Sequence, residues 1–437
     1  MIKKKKKDTK ALDKNIIYVG YKFRIYPSDK QKVFLEKHFG CTRFLYNYFL
    51  NLRSEEWKTN KKNISGVECE KMIVGLKDKE EFKWLKEVNS QSLQQSVLNL
   101  DVSFKKFFNK KSKYPQFKKK SNNHQSFMVP QHFDLRLSKK ENYLLSIPKL
   151  KSDIKIEVHR EMKGKIKSIS ISRTPNKRYF ASFNCEINKV DVKKRKNIID
   201  KDIGIDLNTD AFIATDEGLK VPNPKHLQKT QKKLKRAQSL LSKTQKKSKN
   251  REKQKLKVAK IHNHIKNQRL DFLHKLSFKI VDENQIIYLE DLNIKGMMQN
   301  HNLAKSVASC SWSEFVRQLK YKAEWRNKNV IQIGRFDPSS KMCSFVKCGF
   351  INHILQLKDK EWTCPKCGTF HDRNTNAGRN IKNLGRDYAR IQVCGEMGLY
   401  NNSIKLLQAC SMKQKPDLLE GKLSLDAREF IPKRMSH

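Results

Sequence analysis

The chain has 437 residues, 37% of them hydrophobic, with 94 Lys and Arg against 44 Asp and Glu, a formal charge of +50. That length allows roughly two to four domains with real cores, and such a charge calls for a polyanionic partner, most naturally a nucleic acid held in long grooves. No apolar run approaches the ~20 residues of a membrane span, and no hydrophobic signal segment follows Lys3 to Lys7, so a cytoplasmic protein acting at the nucleoid is expected, with no membrane partner.

Residues 1–14 read as a basic, disordered tail. Tyr18 to Tyr26 alternates aromatic and aliphatic residues around Lys22 and Arg24, a strand pattern ended by Pro27. Ser28 is a candidate N-cap for a helix that Gly40 should stop, before a second helix from Thr42 with Phe44, Leu45, Tyr48, Phe49 and Leu52 as its stripe. Leu93, Val97, Leu100 and Phe104 predict a further helix over Ser90–Phe108. It leads into an aromatic and basic run ending at Lys120. Here Lys105, Lys106, Lys110, Lys111, Lys118 and Lys119 can grip phosphates while some aromatics stack on bases and others are core. Alternation at Ile154–Val158, Ile166–Ile171 and Tyr179–Phe183, with a turn at Thr174–Lys177, predicts a small antiparallel barrel.

Ile203, Ile205 and Leu207 share one face of the next strand, leaving Gly204 and Asp206 on the other, and Asn208-Thr209-Asp210 turns the chain into Ala211–Ala214. Residues 225–260 then hold fifteen Lys and Arg and one acid, Glu252. A sparse stripe of Leu234, Leu241, Leu256, Ala259 and Ile261 predicts a helical hairpin broken near Ser248-Lys249-Asn250. Like charges this dense repel unless phosphates neutralise them, so Lys232, Lys233, Lys235, Arg236, Lys246, Lys247 and Arg251 are expected on RNA or a heteroduplex. Gln285–Leu292 reads as a buried strand turning polar at Glu290 and Asp291. Cys343 and Cys348 have four residues between them and Cys364 and Cys367 two, a spacing suited to a four-thiolate zinc ribbon in a reducing compartment. His371–Ile381 sets acidic and amide side chains at the start of a helix with Ala377, Ile381 and Leu384 as its apolar positions. Acidic residues at strand ends and a helix start suit a two-metal phosphodiester-cleaving site.

Taken together, the Gly204-Ile205-Asp206-Leu207 strand, the Leu289-Glu290-Asp291-Leu292-Asn293 strand end and the cysteine module followed by Asp372-Arg373 and Asn376-Ala377 resemble the TnpB family. These are transposon-encoded RNA-guided DNA nucleases related to type V CRISPR effectors, and the likeness spans roughly residues 15–390. It implies an α/β chain with an RNase H-like (RuvC-like) nuclease domain over 193–392, carrying the basic hairpin at 225–275 and the zinc ribbon at 339–370. A β-barrel wedge domain would be formed by 15–30 and 115–192, a helical recognition lobe by 31–114, and a C-terminal tail without assigned function by 393–437. It also implies a guide RNA from the transposon end, a double-stranded DNA target, structural Zn²⁺, and catalytic Mg²⁺ held by Asp206 and Glu290 with Asp372 or Asn374. This chain departs from the family pattern twice. The first cysteine pair is wider than usual, and Asn374 stands where the family has its third Asp, with Asp372 two residues earlier. The leading reading is thus an RNA-guided, metal-dependent DNA endonuclease. The alternatives are a guided DNA binder that cuts weakly or not at all, and an unguided zinc-ribbon DNA-binding protein.

Overall fold

The computed structural model describes residues 16–121, 125–138, 142–188, 201–356 and 358–400, so the tail expected at 1–14 and most of that at 393–437 lie outside the described residues. By contact the chain forms two units, one of Met1–Ile199, Pro224–Glu283 and Ser313–Lys328, the other of Asp200–Asn223, Asn284–Trp312 and Asn329–His437. Among the described residues no helix is long and apolar enough to cross a membrane.

The first unit is built on an antiparallel sheet of β1 (Ile16–Tyr26), β2 (Gln125–Val129), β3 (Asp134–Leu137), β4 (Tyr143–Ser146), β5 (Ile154–Glu157), β6 (Lys165–Arg173) and β7 (Tyr179–Asn188), ordered β2-β6-β7-β1-β5-β4-β3. β1 buries Ile17, Val19, Tyr21, Phe23 and Ile25 because every second side chain of a strand shares a face. It pairs with β7 from Ile16↔Asn188 to Ile25↔Tyr179, and with β5 on its other side. The N-terminal strand therefore sits among strands from beyond residue 124, and the helices between are an insertion in this sheet. Pairing runs from β2 to β3, and among the described residues nothing joins those two edges.

The insertion comprises α1 (Asp29–Asn60), α2 (Gly66–Asp78), a 3₁₀ stretch (Glu80–Glu87) and α3 (Ser90–Phe108). Ser28 caps α1 as expected, accepting from Gln31 N while the Gln31 side chain accepts from Ser28 N. Gly40 does not stop the helix. Leu35 and Phe39 before it and Leu45 and Phe49 after it bury one continuous face, which outweighs the ~1 kcal/mol that a glycine costs in a helix interior. Lys61, in the left-handed region, ends α1 instead. Sequence reasoning missed α2 and the 3₁₀ stretch, whose buried apolar residues are only Cys69, Ile73, Leu76 and Leu85. The basic hairpin is α4 (His226–Ser242) and α5 (Lys249–Glu283), packed in this unit with residues 313–325 of α8 (Trp312–Trp325).

In the second unit, β8 (Asp202–Leu207), β9 (Ala211–Thr215), β10 (Lys220–Pro222), β11 (Ile286–Leu289) and β12 (Asn329–Gln332) are ordered β10-β9-β8-β11-β12. The first three are antiparallel and β8, β11 and β12 parallel, the RNase H-like arrangement. Short helices α6 (Ile294–Met297) and α7 (His301–Cys310), the hairpin of β13 (Glu361–Thr363) and β14 (Phe370–Asp372), and α9 (Arg373–Tyr400) complete it. α9 lies across β8, β9 and β11. A Cβ on Gly204 would stand 2.1 Å from the Gly378 carbonyl oxygen, and one on Gly378 would stand 2.7 Å from Asp216 N. Ion pairs lock the contact, with Lys382 Nζ 3.0 Å from Asp202 and 2.7 Å from Asp216, and Arg386 2.7 Å from Asp202.

Gly204→Ala should push α9 off β8. Overpacking of this kind costs about 1–3 kcal/mol, read as a lower thermal midpoint. Gly20→Ala, where nothing lies within 4 Å of the new methyl, is the control expected to leave the midpoint nearly unchanged.

Candidate active site

β8 and β11 run parallel with Ile205 beside Leu289, so the residues that follow, Asp206 and Glu290, emerge together at one end of the sheet. Their carboxyls share a hydrogen bond, and Glu290 also accepts from Leu207 N. Burial holds Asp206 above the ordinary carboxylate range, against the pull of Glu290, Arg373 and Asn208, while Asp372 adds to the rise. Burial and the Asp206 charge together hold Glu290 well above it. Two acids this close in a partly buried place share a proton rather than ionise together.

The two candidates for the third position differ in what they touch. Asp372 ends β14 and caps α9, its Oδ1 accepting from Thr375 N and Oγ1 at 2.9 Å each, while its Oδ2 lies 2.7 Å from Lys220 Nζ. Against the upward push of burial, Lys220 and Thr375 hold its carboxyl below the usual range. Asn374 Oδ1 accepts from Asn208 Nδ2 at 2.9 Å, and Asn208 in turn hydrogen-bonds Asp206. Asn374 is thus linked to the acidic pair through one amide. Asp372 acts on it only through space. Among the described residues, the one group of three or more His, Cys, Asp or Glu whose ligand atoms all lie within 4.8 Å of one another is a set of cysteines. Sequence reasoning did not single out Asn208, although it follows Asp206 by two on the same strand face, nor Arg373 and Lys220, whose roles depend on packing.

Those cysteines are Cys343, Cys348, Cys364 and Cys367. The Cys343–Cys367 and Cys348–Cys364 sulfurs are each 3.7 Å apart, close to the edge of a tetrahedron whose centre lies ~2.3 Å from every thiolate. Donor set and dimensions fit a structural zinc ion with no open position. The wide first pair still converges because Lys347 and Gly349 turn the chain at positive φ. His371 Nε2 lies 3.0 Å from Cys343 Sγ. Two buried amides tie the ribbon to α9. Asn376 accepts from Ser344 N at 2.9 Å and donates to Met342 O at 2.7 Å, and Asn380 donates to Ser339 O at 2.7 Å and Met342 O at 2.6 Å.

Of the basic residues expected on nucleic acid, Lys106, Lys110, Lys111, Lys119, Lys232, Lys233, Lys235, Arg236, Lys246 and Lys247 are exposed. Three are engaged within the protein. Lys105 pairs with Asp101 at 2.9 Å, Lys118 stands 3.8 Å from the centre of the Tyr46 ring, and Arg251 donates to the Leu241 and Thr244 carbonyls that end α4, at 3.0 and 2.9 Å. Phe104 is core, whereas Phe108, Tyr114 and Phe117 are exposed.

An RNase H-like sheet with neighbouring acids at two strand ends, closed by a four-cysteine ribbon, is the architecture of a nucleic-acid-processing protein of the transposase and type V effector class. Residues 182–301 match the family model described as "Probable transposase" (OrfB_IS605) and 312–381 the "Cas12f1-like, TNB domain". Residues 17–62, here β1 and the single helix α1, match a "Helix-turn-helix domain" of the same transposase family. Two relatives share the name "Putative RNA-guided DNA endonuclease". The one from Streptomyces pristinaespiralis is 33% identical over 91% of this chain and 96% of its own length, and InsQ of Escherichia coli (strain K12) is 29% identical over 86% and 94%. The chain belongs to the OrfB/TnpB family. A solved Cas12f1 chain, from a complex with sgRNA and target DNA, has the same fold at a TM-score of 0.55 and 13% identity, covering 84% of this chain and 99% of its own.

Replacing Cys364 and Cys367 with Ser should remove one zinc per chain and speed amide exchange over residues 339–344 and the first turn of α9, since such binding contributes on the order of 10 kcal/mol to the local fold. Unchanged zinc content would exclude the site.

A second expectation concerns pH. Folding raises the pKa of both Asp206 and Glu290, so without a divalent cation the folded state binds more protons than the unfolded chain above pH ~4, and stability falls as pH rises toward the raised values. In zinc-loaded protein free of Mg²⁺ and other added divalent cations, Asp206→Asn should therefore melt above wild type at pH 7, and the gap should close toward pH 4. A gap equal at both pH values would show that the two carboxyls do not share a proton.

Proposed function

We propose that the protein is an RNA-guided, metal-dependent DNA endonuclease whose cleavage site is the Asp206–Glu290 pair. The observation that carries this reading is that pair, two carboxyls at adjacent parallel strand ends with raised pKa values, where a divalent cation can replace the shared proton. Relatives named as RNA-guided DNA endonucleases over most of this chain support the guided part. A charge of +50 suits the phosphates of a guide and its target.

Asp206 and Glu290, with the Asn374 amide oxygen, offer the hard oxygen ligands that Mg²⁺ takes. That ion would supply Lewis-acid charge to the attacking water and the departing oxygen. Asn208 orients Asp206 and Asn374 through its two hydrogen bonds, and Arg373 places positive charge near Asp206. Lys220 holds Asp372 at the helix cap, and Asn376 and Asn380 hold the zinc ribbon against the helix that carries Asn374. One observation favours a second reading, a guided binder that cuts weakly. Asn374 leaves the site one negative charge short of three acids.

RNA should copurify with the chain, and the complex should cut DNA complementary to it when the target's flanking bases are randomised. Restoring a metal-directed charge with Asn374→Asp should raise the cleavage rate by roughly 10²- to 10⁴-fold, and Asp206→Ala should abolish cleavage in either background. Asp372→Ala should have a much smaller effect, because Asp372 is paired with Lys220. A loss as complete as that of Asp206→Ala would make Asp372 the third ligand instead. If neither change at 372 or 374 alters the rate, the start of α9 has no part in the site.

A further inference from the structure

Within the first unit, the turn between β6 and β7 and the middle of α5 border an open crevice of about 190 Å³ lined by Asn176, Arg178, Lys260, Asn263, His264 and Asn267, of which Asn176 is buried, Asn263 half-buried and the rest exposed. The last four fall at i, i+3, i+4 and i+7, a single face of α5. A helix face turned toward a neighbouring element is ordinarily apolar. Here every position is polar and no lining residue is acidic. Among the described residues, those four side chains make no side-chain hydrogen bond of their own. Asn176 is buried at 7% exposure, and Thr174 Oγ1 donates to its Oδ1 at 2.5 Å, which fixes the amide. In the same unit, burial and then the charge of Lys266 on α5 hold Lys22 of β1 below the usual lysine range.

Two features say what would fill this place. Cations alone would serve a phosphate, but an occupant would strip water from Asn263 and Asn267, and it must offer them and the buried Asn176 a matching polar edge to repay that loss. The volume lies below the ~300–1,000 Å³ of sites for drug-sized ligands, and is suited to one flat heterocycle with its phosphate at the rim. RNA loops and bulges present such unstacked bases, whereas a paired duplex does not.

We propose that the crevice holds one unpaired nucleotide of the guide RNA. Asn176, Asn263 and Asn267 read the base edge, and Arg178 and Lys260 take its phosphate. The proposal rests on the guided reading above, and its test separates the two.

RNA copurified with the full chain is treated with base-edge reagents, dimethyl sulfate for adenine and cytosine and a carbodiimide for uracil and guanine, in wild type and in Asn263→Ala/Asn267→Ala. Alanine is the better helix former, so α5 should persist. One unpaired nucleotide should be protected in wild type and lose that protection in the double variant while RNA is retained. Arg178→Ala should lower the salt slope of RNA binding by about 0.7, the share of one phosphate contact on a single strand. If RNA copurifies and both proteins give the same reactivity pattern, the crevice holds no base and the proposal is overturned while the guided reading stands. If no RNA copurifies with wild type, the guided reading fails and takes the proposal with it.

Discussion

A helix backbone laid directly on a strand backbone, Gly378 against Gly204, is the contact on which the second unit depends. Only residues without a Cβ permit it, and a rise of 1.5 Å per helical residue then fixes where everything else on α9 falls. Asn374, one turn before Gly378, comes level with the end of β8 and reaches Asn208. Asn376 and Asn380 point to the first cysteine knuckle. Lys382 and Arg386, one and two turns beyond, meet Asp202 and Asp216. One close approach thereby sets the acidic pair, the zinc ribbon and the ion-pair cluster in a single frame.

The acids along this frame divide by their partners. At the start of β8, Asp202 is held below the usual range because Arg386 and Lys382 overcome the upward push of burial. At the other end of the strand, burial raises Asp206 and is only partly offset by Glu290, Arg373 and Asn208, while burial and then the Asp206 charge raise Glu290. A strand of six residues thus has one end whose acid is neutralised by two cations and another whose acid is held in its protonated form by burial.

How much of this could be read from sequence follows from the range of each interaction. Period-two alternation gave β1, β7 and β8 and set Asp206 apart from its aliphatic neighbours, and cysteine spacing gave the ribbon despite its wide first pair, because both signals are local. The failures came where distant packing overrode a local rule. Gly40 reads as a stop, yet the buried face of Leu35, Phe39, Leu45 and Phe49 carries α1 through it. The contacts of Lys105, Lys118 and Arg251 with Asp101, Tyr46 and the end of α4 likewise depend on packing that the local sequence does not carry. Asp372 and Asn374 were both open as third ligands, since their different partners, Lys220 and Thr375 for the one and Asn208 for the other, come from packing.

The amide at position 374 can be understood through the same balance of charge. An aspartate there could accept the same hydrogen bond from Asn208 Nδ2, so hydrogen bonding alone does not require asparagine. What differs is the metal-free state. Asp206 already raises Glu290, and Asp372 already adds through space to the rise that burial imposes on Asp206. A third carboxylate at the end of β8 would deepen that repulsion, with Arg373 as the cation acting on Asp206. On the proposed reading, Asn374 would favour the folded chain before a cation arrives and weaken the hold on the cation afterwards, a trade of reactivity for stability of the kind active sites commonly show. The clamp of the cysteine ribbon through Asn376 and Asn380 holds the first turn of α9 where Asn374 meets Asn208.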